Sequence, residues 1–524
     1  MKKRCSFAVC ALVAVIVTVM VCIAAGKSNY GLEGDEVFSF LSSSSKGGFK
    51  GICFLDDQTW YDADYFADAL TATGQERFNV KMVVENQAMD VHPPLFYLCL
   101  NFICSVFEGR FSRWFGIGLN IFFLILLEGC LYLLLQYFLK NPYLSLFLST
   151  VFCCSRLSVN MVLFIRMYVL LMVFVVLQSW IHLRLYDRMG GDGELPIRQN
   201  PGTWVCLAVT TIMGALTHYY FLIYQVLIAA VLLLVLWRQK KWKAIGRYVG
   251  VMAVSGVVYL CLYPAALNHL FFKYRGRDAV HKFLKEGTLL KEMAAMFETF
   301  DRQLYKRMLL PLLLFLTAAT IFLAVRKKVN RSALLRGVML AFPSVVYFYV
   351  VSKASPFVTI RYVSPVAPVI FAAVAVWAVS LVRRADQRAV WRWGSVGICA
   401  AAFLTSFYFF TEPIKEAYFE ERKEVVDSLA EQNEYCMYIT GDEYNWKMWE
   451  EYVIYPQFKG LFFIDGREQK KIVDEKVRQQ EQMVIFMDKV LDYDDTIAYL
   501  KEHLQMQNYE KVYDAPYTYI IRGY

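Results

Sequence analysis

Residues 203–237 read TWVCLAVTTIMGALTHYYFLIYQVLIAAVLLLVLW, 35 consecutive positions without Lys, Arg, Asp or Glu. As a single helix this run would measure roughly 52 Å, against a bilayer hydrocarbon core of about 30 Å. It therefore reads as a hairpin of two spans, with Thr217, His218 and Tyr219 near the bend. Further apolar runs lie at about 6–25, 94–108, 113–139, 142–155, 157–183, 248–267, 308–325, 337–352, 362–382 and 393–411. Backbone groups in lipid need partners within the protein, so such runs must be helices or the strands of a closed barrel. Barrel strands alternate over about ten residues, and these uninterrupted runs do not. The expected fold is an all-α polytopic membrane bundle of about 11–13 transmembrane helices. Composition agrees: 57% of the 524 residues are hydrophobic and 19% charged, where soluble chains average about 45–50% and about 25%.

Charge asymmetry orients the bundle. The segments Arg238–Arg247, Arg326–Arg336 and Arg383–Arg392 are strongly basic and are expected in the cytoplasm. Lys27 to Asp90 carries eleven acids and five bases, and Glu412 to Tyr524 carries 24 acids and 14 bases. The tail is thus −10 and the remainder +19, so the net +9 reflects topology, with no nucleic-acid-binding pattern in it. The N-terminus is expected inside a plasma membrane, with the acidic loop and the tail on the extracytoplasmic side. Residues 6–25 are longer than a signal-peptide core of about 7–15 residues, so a retained first helix is expected. From the outer loop to the basic Arg184–Arg198 segment, this topology requires an odd number of crossings. Four candidates lie there, so one is split, re-entrant or not a true span. Most of the thirteen cysteines lie in apolar runs, and none has zinc-site spacing.

Four parts follow: an anchor helix (1–25), a polar outer loop (26–92), the main bundle (93–411) and a small soluble α/β unit (412–524). Gln58 to Thr71 is rich in aromatics and acids, and Trp60, Tyr61, Tyr65 and Phe66 suit helices lying in the headgroup belt. Between about Asn268 and Lys306 a second outer loop carries Lys273, Arg275, Arg277, Lys282 and Lys285. In the tail, Tyr435–Thr440, Leu461–Ile464 and Met483–Met487 read as buried strands. Asp494–Gln505 reads as an amphipathic helix capped by Asp494 or Asp495, and Tyr517–Ile521 as a closing strand. No phosphate-binding glycine loop or nucleophile motif occurs there, and a packing or acceptor-docking role is expected.

Three groups of residues could do chemistry. Asp35 and Glu36 follow the first helix; a carboxylate there can act as general base or hold a cation, although residue type alone favours helix capping. Asp90 and His92 precede Pro93-Pro94, a helix-start signal that places them where a helix dipole favours phosphate. The third group comprises ionisable residues near or inside spans: Glu128, Arg166 with Tyr168, His218 with Tyr219, and Arg361 with Tyr362. Arg361, in a short outer connection, suits bidentate grip on a phosphate or snorkelling to headgroups. Glu128 is expected to make a helix–helix contact, and His218 an ordinary hydrogen bond, with a metal-ligand role less favoured.

In order, Asp35-Glu36, Asp90-x-His92-Pro93-Pro94-Leu95-x-Tyr97, Arg166-Met167-Tyr168, Thr217-His218-Tyr219 and Arg361-Tyr362-x-x-Pro365 resemble the layout of GT-C-fold glycosyltransferases. The resemblance is to bacterial members related to protein O-mannosyltransferases and to lipid A aminoarabinose transferase, and it spans about residues 1–411. It implies a GT-C-like bundle and a polyprenyl-phosphate-linked sugar donor in the membrane lipid. The acceptor would be a protein, a lipid or an envelope glycan. It implies Asp35 as base with Glu36 as partner, and Asp90 and His92 lining the donor cavity. Arg166, Tyr168, His218, Tyr219, Arg361 and Tyr362 would contact donor phosphate or sugar. The expected chemistry is one inverting displacement at the anomeric carbon. The resemblance leaves a divalent cation open as a cofactor. Two rival readings are a secondary transporter, which lacks support from any visible internal repeat, and a non-catalytic envelope-assembly scaffold.

Overall fold

The computed structural model describes residues 2–27, 31–48, 55–190, 201–273, 281–283, 289–324, 331–355, 357–384, 420–443 and 446–524. The span expected at 393–411 lies outside the described residues, as do Arg275, Arg277 and Lys285. In chain order the elements begin with α1 (Lys2–Lys27), α2 (Gly34–Ser44), β1 (Thr59–Asp62), α3 (Ala63–Ala69), α4 (Val80–Met89) and α5 (Leu95–Val106). There follow α6 (Arg113–Leu139), α7 (Pro142–Cys153), α8 (Arg156–Leu163), α9 (Tyr168–Gly190), α10 (Pro201–Ala215), α11 (Tyr220–Arg238), α12 (Trp242–Leu262) and α13 (Ala265–Phe271). The bundle ends with α14 (Leu289–Tyr305), α15 (Leu309–Ala324), α16 (Arg331–Ala354), α17 (Ile360–Val363) and α18 (Ala367–Arg384). The chain forms two compact units, one of residues 1–25, 90–96 and 118–412, the other of 26–89, 97–117 and 413–524.

Among the described residues, seven helices are long and apolar enough to cross a membrane, or up to nine if each of two bent pairs is one span. Two shorter apolar helices are α5 and α10. This is a multi-pass membrane protein. The expected 203–237 hairpin is present as α10 and α11. The expected continuous span 157–183 is not: α7 and α8 form one pair bent by 54°, and a new helix starts at Tyr168. The α7–α8 pair is thus a broken span or a re-entrant loop. A second break, of 83°, separates α14 from α15; Asp301 Oδ1 accepts the Leu309 N–H there and caps the new helix.

In the first unit, α1 buries a stripe of small side chains, Ala14, Thr18, Cys22 and Ala25, and turns Leu12, Ile16 and Met20 outward. Its polar tie is Glu128 of α6, which accepts from Thr18 Oγ1 at 3.0 Å and from Thr150 Oγ1 at 2.6 Å. Glu128 is thus the helix–helix contact expected of it. The α10–α11 turn is equally tight, because a Cβ on Gly214 would lie 2.4 Å from the Phe221 ring.

The second unit carries a six-stranded sheet in the order β1-β3-β2-β4-β6-β5, with β2 (Tyr435–Thr440), β3 (Gly460–Asp465), β4 (Met483–Asp488), β5 (Tyr509–Asp514) and β6 (Thr518–Gly523). The parallel strands β3, β2 and β4 form its centre and are buried on both faces, as their unbroken apolar sequences require. Three expectations need correction. Trp60 and Tyr61 lie on β1, which pairs antiparallel with β3, so this part of the segment is a strand and only Ala63–Ala69 is helical. Trp60 packs on Tyr435 and Phe462, and buried Phe66 on Tyr452 and Tyr455, so these two serve the sheet unit and not a headgroup belt. The helix Tyr493–His503 is capped by Asp492, whose side chain accepts the Asp495 N–H, and not by Asp494 or Asp495.

The Gly214 contact yields a stability prediction. Gly214→Ala forces a methyl into the Phe221 ring and lowers stability by about 1–3 kcal/mol, read as a fall in melting temperature in detergent. Gly250→Ala on α12, where an added Cβ meets nothing within 4 Å, leaves the melting temperature unchanged or raised.

Candidate active site: a cationic cluster at four helix starts

The eight residues expected around the donor, Asp90, His92, Arg166, Tyr168, His218, Tyr219, Arg361 and Tyr362, all belong to the first unit. Each lies at or just before the start of a helix. Asp90 and His92 precede α5, Arg166 precedes α9, His218 precedes α11, and Arg361 lies in the first turn of α17. Positive dipole ends of these helices, several of them long, are therefore associated with the cluster. The prolines sit just ahead of α5, which opens at Leu95, and the Leu95 N–H donates to Leu216 O at 3.0 Å. That bond joins the Asp90–His92 segment to the α10–α11 turn.

Arg166 reaches the interior because the helix before it stops. The Asn120 side-chain amide donates to Val162 O at 3.1 Å and to Phe164 O at 3.0 Å. These carbonyls would otherwise accept from the next turn, so Asn120 stabilises the end of α8 and the chain turns through Phe164–Met167. Arg166 is only 3% exposed. Its Nη2 stands 3.3 Å from His92 Nε2, and His92 Nδ1 stands 2.6 Å from Asp90 Oδ2.

The hydrogen-bond roles follow from which groups can donate. Burial alone would raise the Asp90 carboxyl, but the His92 ring and then the Arg166 charge outweigh it and hold it below the ordinary aspartate value. An ionised Asp90 only accepts, so His92 Nδ1 donates; a guanidinium only donates, so His92 Nε2 accepts. The three groups form a relay of acid, imidazole and guanidinium in which His92 fixes the Arg166 head. Tyr263 Oη donates to His92 O at 3.2 Å, and Lys273 Nζ donates to Asp90 O at 2.5 Å.

His218 occupies the turn between α10 and α11. Its Nδ1 accepts the Tyr220 N–H at 3.0 Å, which leaves Nε2–H as the ring's donor. Burial, aided by the charges of Arg166 and Arg361, holds His218 well below the ordinary histidine value, so it is a neutral donor. Its ring lies 5.9 Å from His92 and 5.8 Å from Tyr168. Tyr362 packs on Tyr168 at 6.5 Å and on Tyr220 at 5.6 Å, while Tyr347 Oη donates to Tyr362 O at 3.1 Å. The Arg361 guanidinium lies over the Phe164 ring at 5.5 Å and the Tyr362 ring at 5.3 Å. Tyr219 Oη is 2.7 Å from His269 Nδ1. The expected residues thus meet as one network: two guanidinium groups, a neutral imidazole donor and a wall of tyrosines. Such a set suits a phosphate held by charge-assisted bonds.

Asp35 and Glu36 lie in the second unit, in the first turn of α2. The N-cap is Glu33, and buried Glu36 returns its carboxylate to the Glu33 N–H at 2.7 Å, one arm of a capping box. Helix capping thus falls to Glu33 and Glu36. Asp35 is half-buried and sits where a helix dipole stabilises negative charge.

Sequence reading passed over several contributors. Asn120 was detectable as an amide within an apolar span. Lys273 was read only as one base of the second outer loop, and Tyr263 and His269 carry no local signal; all three are recruited by the packing of α12 and α13. Among the described residues no group of three or more His, Cys, Asp or Glu could hold a metal ion, and His218 is placed as a hydrogen-bonding residue.

No family model matches this chain, and no curated protein matches it. Solved structures do. ArnT from Cupriavidus metallidurans bound to undecaprenyl phosphate aligns with a TM-score of 0.55 at 13% identity, over 98% of this chain and 97% of that one. Its apo state aligns at 0.50 and 13% over the same shares. The archaeal oligosaccharyltransferase AglB from Archaeoglobus fulgidus, in complex with an inhibitory peptide and a dolichol-phosphate, aligns at 0.50 and 11%, over 95% of this chain and 71% of that one. Agreement across nearly the whole length at such low identity is agreement of fold, and on that ground this chain has the GT-C fold.

Proposed function

We propose that this protein is a membrane glycosyltransferase that takes a sugar from a polyprenyl-phosphate carrier and passes it to an acceptor on the extracytoplasmic face. The observation that carries this reading is the convergence of Arg166, Arg361 and the neutral His218 at helix starts, in a fold whose solved members include one bound to undecaprenyl phosphate and one in complex with a dolichol-phosphate. A phosphate leaving group needs fixed positive charge and N–H donors where negative charge develops, and this cluster supplies both.

In this mechanism an acceptor hydroxyl or amine attacks the anomeric carbon and its proton passes to Asp35. The bond from that carbon to the carrier oxygen breaks, and its electron pair leaves on the polyprenyl phosphate. One displacement inverts the anomeric centre. Arg361 and Arg166 take up the charge on the departing phosphate, His218 donates through Nε2–H, and His92 with Asp90 holds Arg166 in place. The tyrosines Tyr168, Tyr219 and Tyr362 bound the sugar. The acidic tail and loop, set against the basic connections, support an N-terminus in the cytoplasm and the sheet unit outside. The acceptor belongs to one of three classes: protein, lipid or envelope glycan. A divalent cation is tested directly by running the reaction with and without a chelator.

The test is transfer of labelled sugar from synthetic polyprenyl-phosphate donors to an envelope extract, by purified protein in liposomes. Asp35→Asn is expected to lower the rate about 10²–10⁴-fold at unchanged donor binding. An unaffected Asp35→Asn rate would remove the base from this position. Arg361→Gln is expected to cost about 10²–10³-fold in kcat. If wild type transfers none of the donors yet carries solute across the bilayer, the transporter reading replaces this one.

Asp90 gives a pH prediction. Its folded value is depressed, so its ionised form is complete above the ordinary value of 3.8 and is lost only as pH falls through the lower folded value. Asp90→Asn is therefore expected to lower the rate by a constant factor between about pH 5 and pH 8. A ratio that changes across that window would show that Asp90 titrates during turnover.

A further inference from the structure

A second feature of the first unit has no part in the proposed transfer. Between α14, α15, α16 and α18 lies a cavity of about 1420 Å³. Its wall is apolar, with Phe297, Phe300, Leu313, Ala341, Val345 and Trp377 among the lining side chains. Several lining residues are strongly exposed, Leu290 at 82% and Val345 at 61%, so the cavity opens sideways from the bundle. In a membrane that opening meets lipid. An apolar space of this size gains nothing from water and is filled by hydrocarbon chains.

One end of the same cavity is polar. It is lined by Tyr137, Lys140, Asp187 and Arg336. Tyr137 Oη donates to Asp187 Oδ2 at 2.7 Å, and Arg336 Nε donates to Asp187 Oδ1 at 2.9 Å. Lys140 Nζ stands 5.1 Å from the Tyr137 ring centre, and Arg383 Nη2 donates to Leu139 O at 2.6 Å. Among the described residues, this end thus carries Lys140 and Arg336 on the lining and Arg383 beside Leu139, against the single carboxylate of Asp187, an excess of two positive charges. These residues lie at the ends of α6, α9 and α18 and the start of α16. On α9, Tyr168 and Asp187 are separated by 19 residues, roughly 28 Å along the axis and close to the thickness of a bilayer core. A phosphate at this end is therefore a different one from any bound near Arg166 and Arg361.

We propose that this cavity is a binding site for an anionic diacyl phospholipid, with its acyl chains along the apolar wall and its headgroup phosphate among Lys140, Arg336 and Arg383. Hydrocarbon filling explains the wall, and the charge excess selects an anionic head over a zwitterionic one.

The test measures lipid retention on the full chain and needs no turnover. Delipidated protein is titrated with palmitoyl-oleoyl phosphatidylglycerol or the matching phosphatidylcholine and read by native mass spectrometry. One phosphatidylglycerol is expected per chain, bound about thirtyfold more tightly than phosphatidylcholine, from about fivefold for each unit of excess charge. Lys140→Glu, on an exposed side chain, is expected to bring the two lipids to near parity. Gly337→Phe grows a ring into the cavity from a position where a Cβ meets nothing within 4 Å, and is expected to reduce retention of both lipids. Equal retention of the two lipids by wild type would overturn the proposal. So would unchanged phosphatidylglycerol binding in both variants, or one-for-one displacement by undecaprenyl phosphate, which would assign the cavity to the carrier.

Discussion

A guanidinium inside an apolar helical bundle persists only where its charge is answered, and Asp90, acting through His92, answers Arg166. Much of the local architecture follows from this requirement. The chain ahead of α5 must bring Asp90 and His92 inward, and the Leu95–Leu216 bond ties that segment to the α10–α11 turn. Arg166 must leave its helix to reach His92, and Asn120 makes this possible by taking the carbonyls of Val162 and Phe164. The cost of a broken span is met by side-chain hydrogen bonding inside the protein, the circumstance in which irregular backbone is tolerated at membrane depth.

The same need for internal partners shapes the remaining polar positions of the bundle. Glu128 is satisfied by two threonine hydroxyls and uses them to hold α1. Asp301 caps the helix after the sharpest bend. What distinguishes the Arg166 cluster is its surplus of positive charge and its association with helix starts, both of which favour an anion. In the second unit the buried charges close on themselves. Arg422 pairs with Glu451, which also accepts from Thr518, and Lys447 bonds both oxygens of Asp488. They tie the segments around the sheet to it, a structural role that fits the lack of any nucleophile or phosphate-loop motif in the tail.

The spans were legible because a membrane helix is recognised by composition over about twenty residues, and Arg113–Leu139 and the α10–α11 hairpin fall where the sequence places them. The central strands β2, β3 and β4 were legible for a related reason: strands buried on both faces are written as unbroken apolar runs. β5 was missed because it is an edge strand, Tyr509-Glu-Lys-Val-Tyr-Asp, whose outer positions are polar. β1 was misread because its aromatic residues suit an interfacial helix as well as a strand, and its partner β3 lies some 400 residues along the chain. The helix break at Phe164–Met167 was not legible, since the residue that stabilises it is Asn120, on another helix.

By itself, the sequence determined that this is a helical membrane protein with a small strand-containing unit, and it singled out eight polar residues near or inside the spans. Hydrophobicity acts through local composition, so those features survive reading one segment at a time. Only the tertiary structure decided that Asp90 answers Arg166, that Glu36 caps its own helix, that Lys273 joins Asp90, and that Asn120 ends α8. Hydrogen bonds and ion pairs depend on which groups come within about 3 Å of one another, and that proximity is created by packing between segments far apart in the chain.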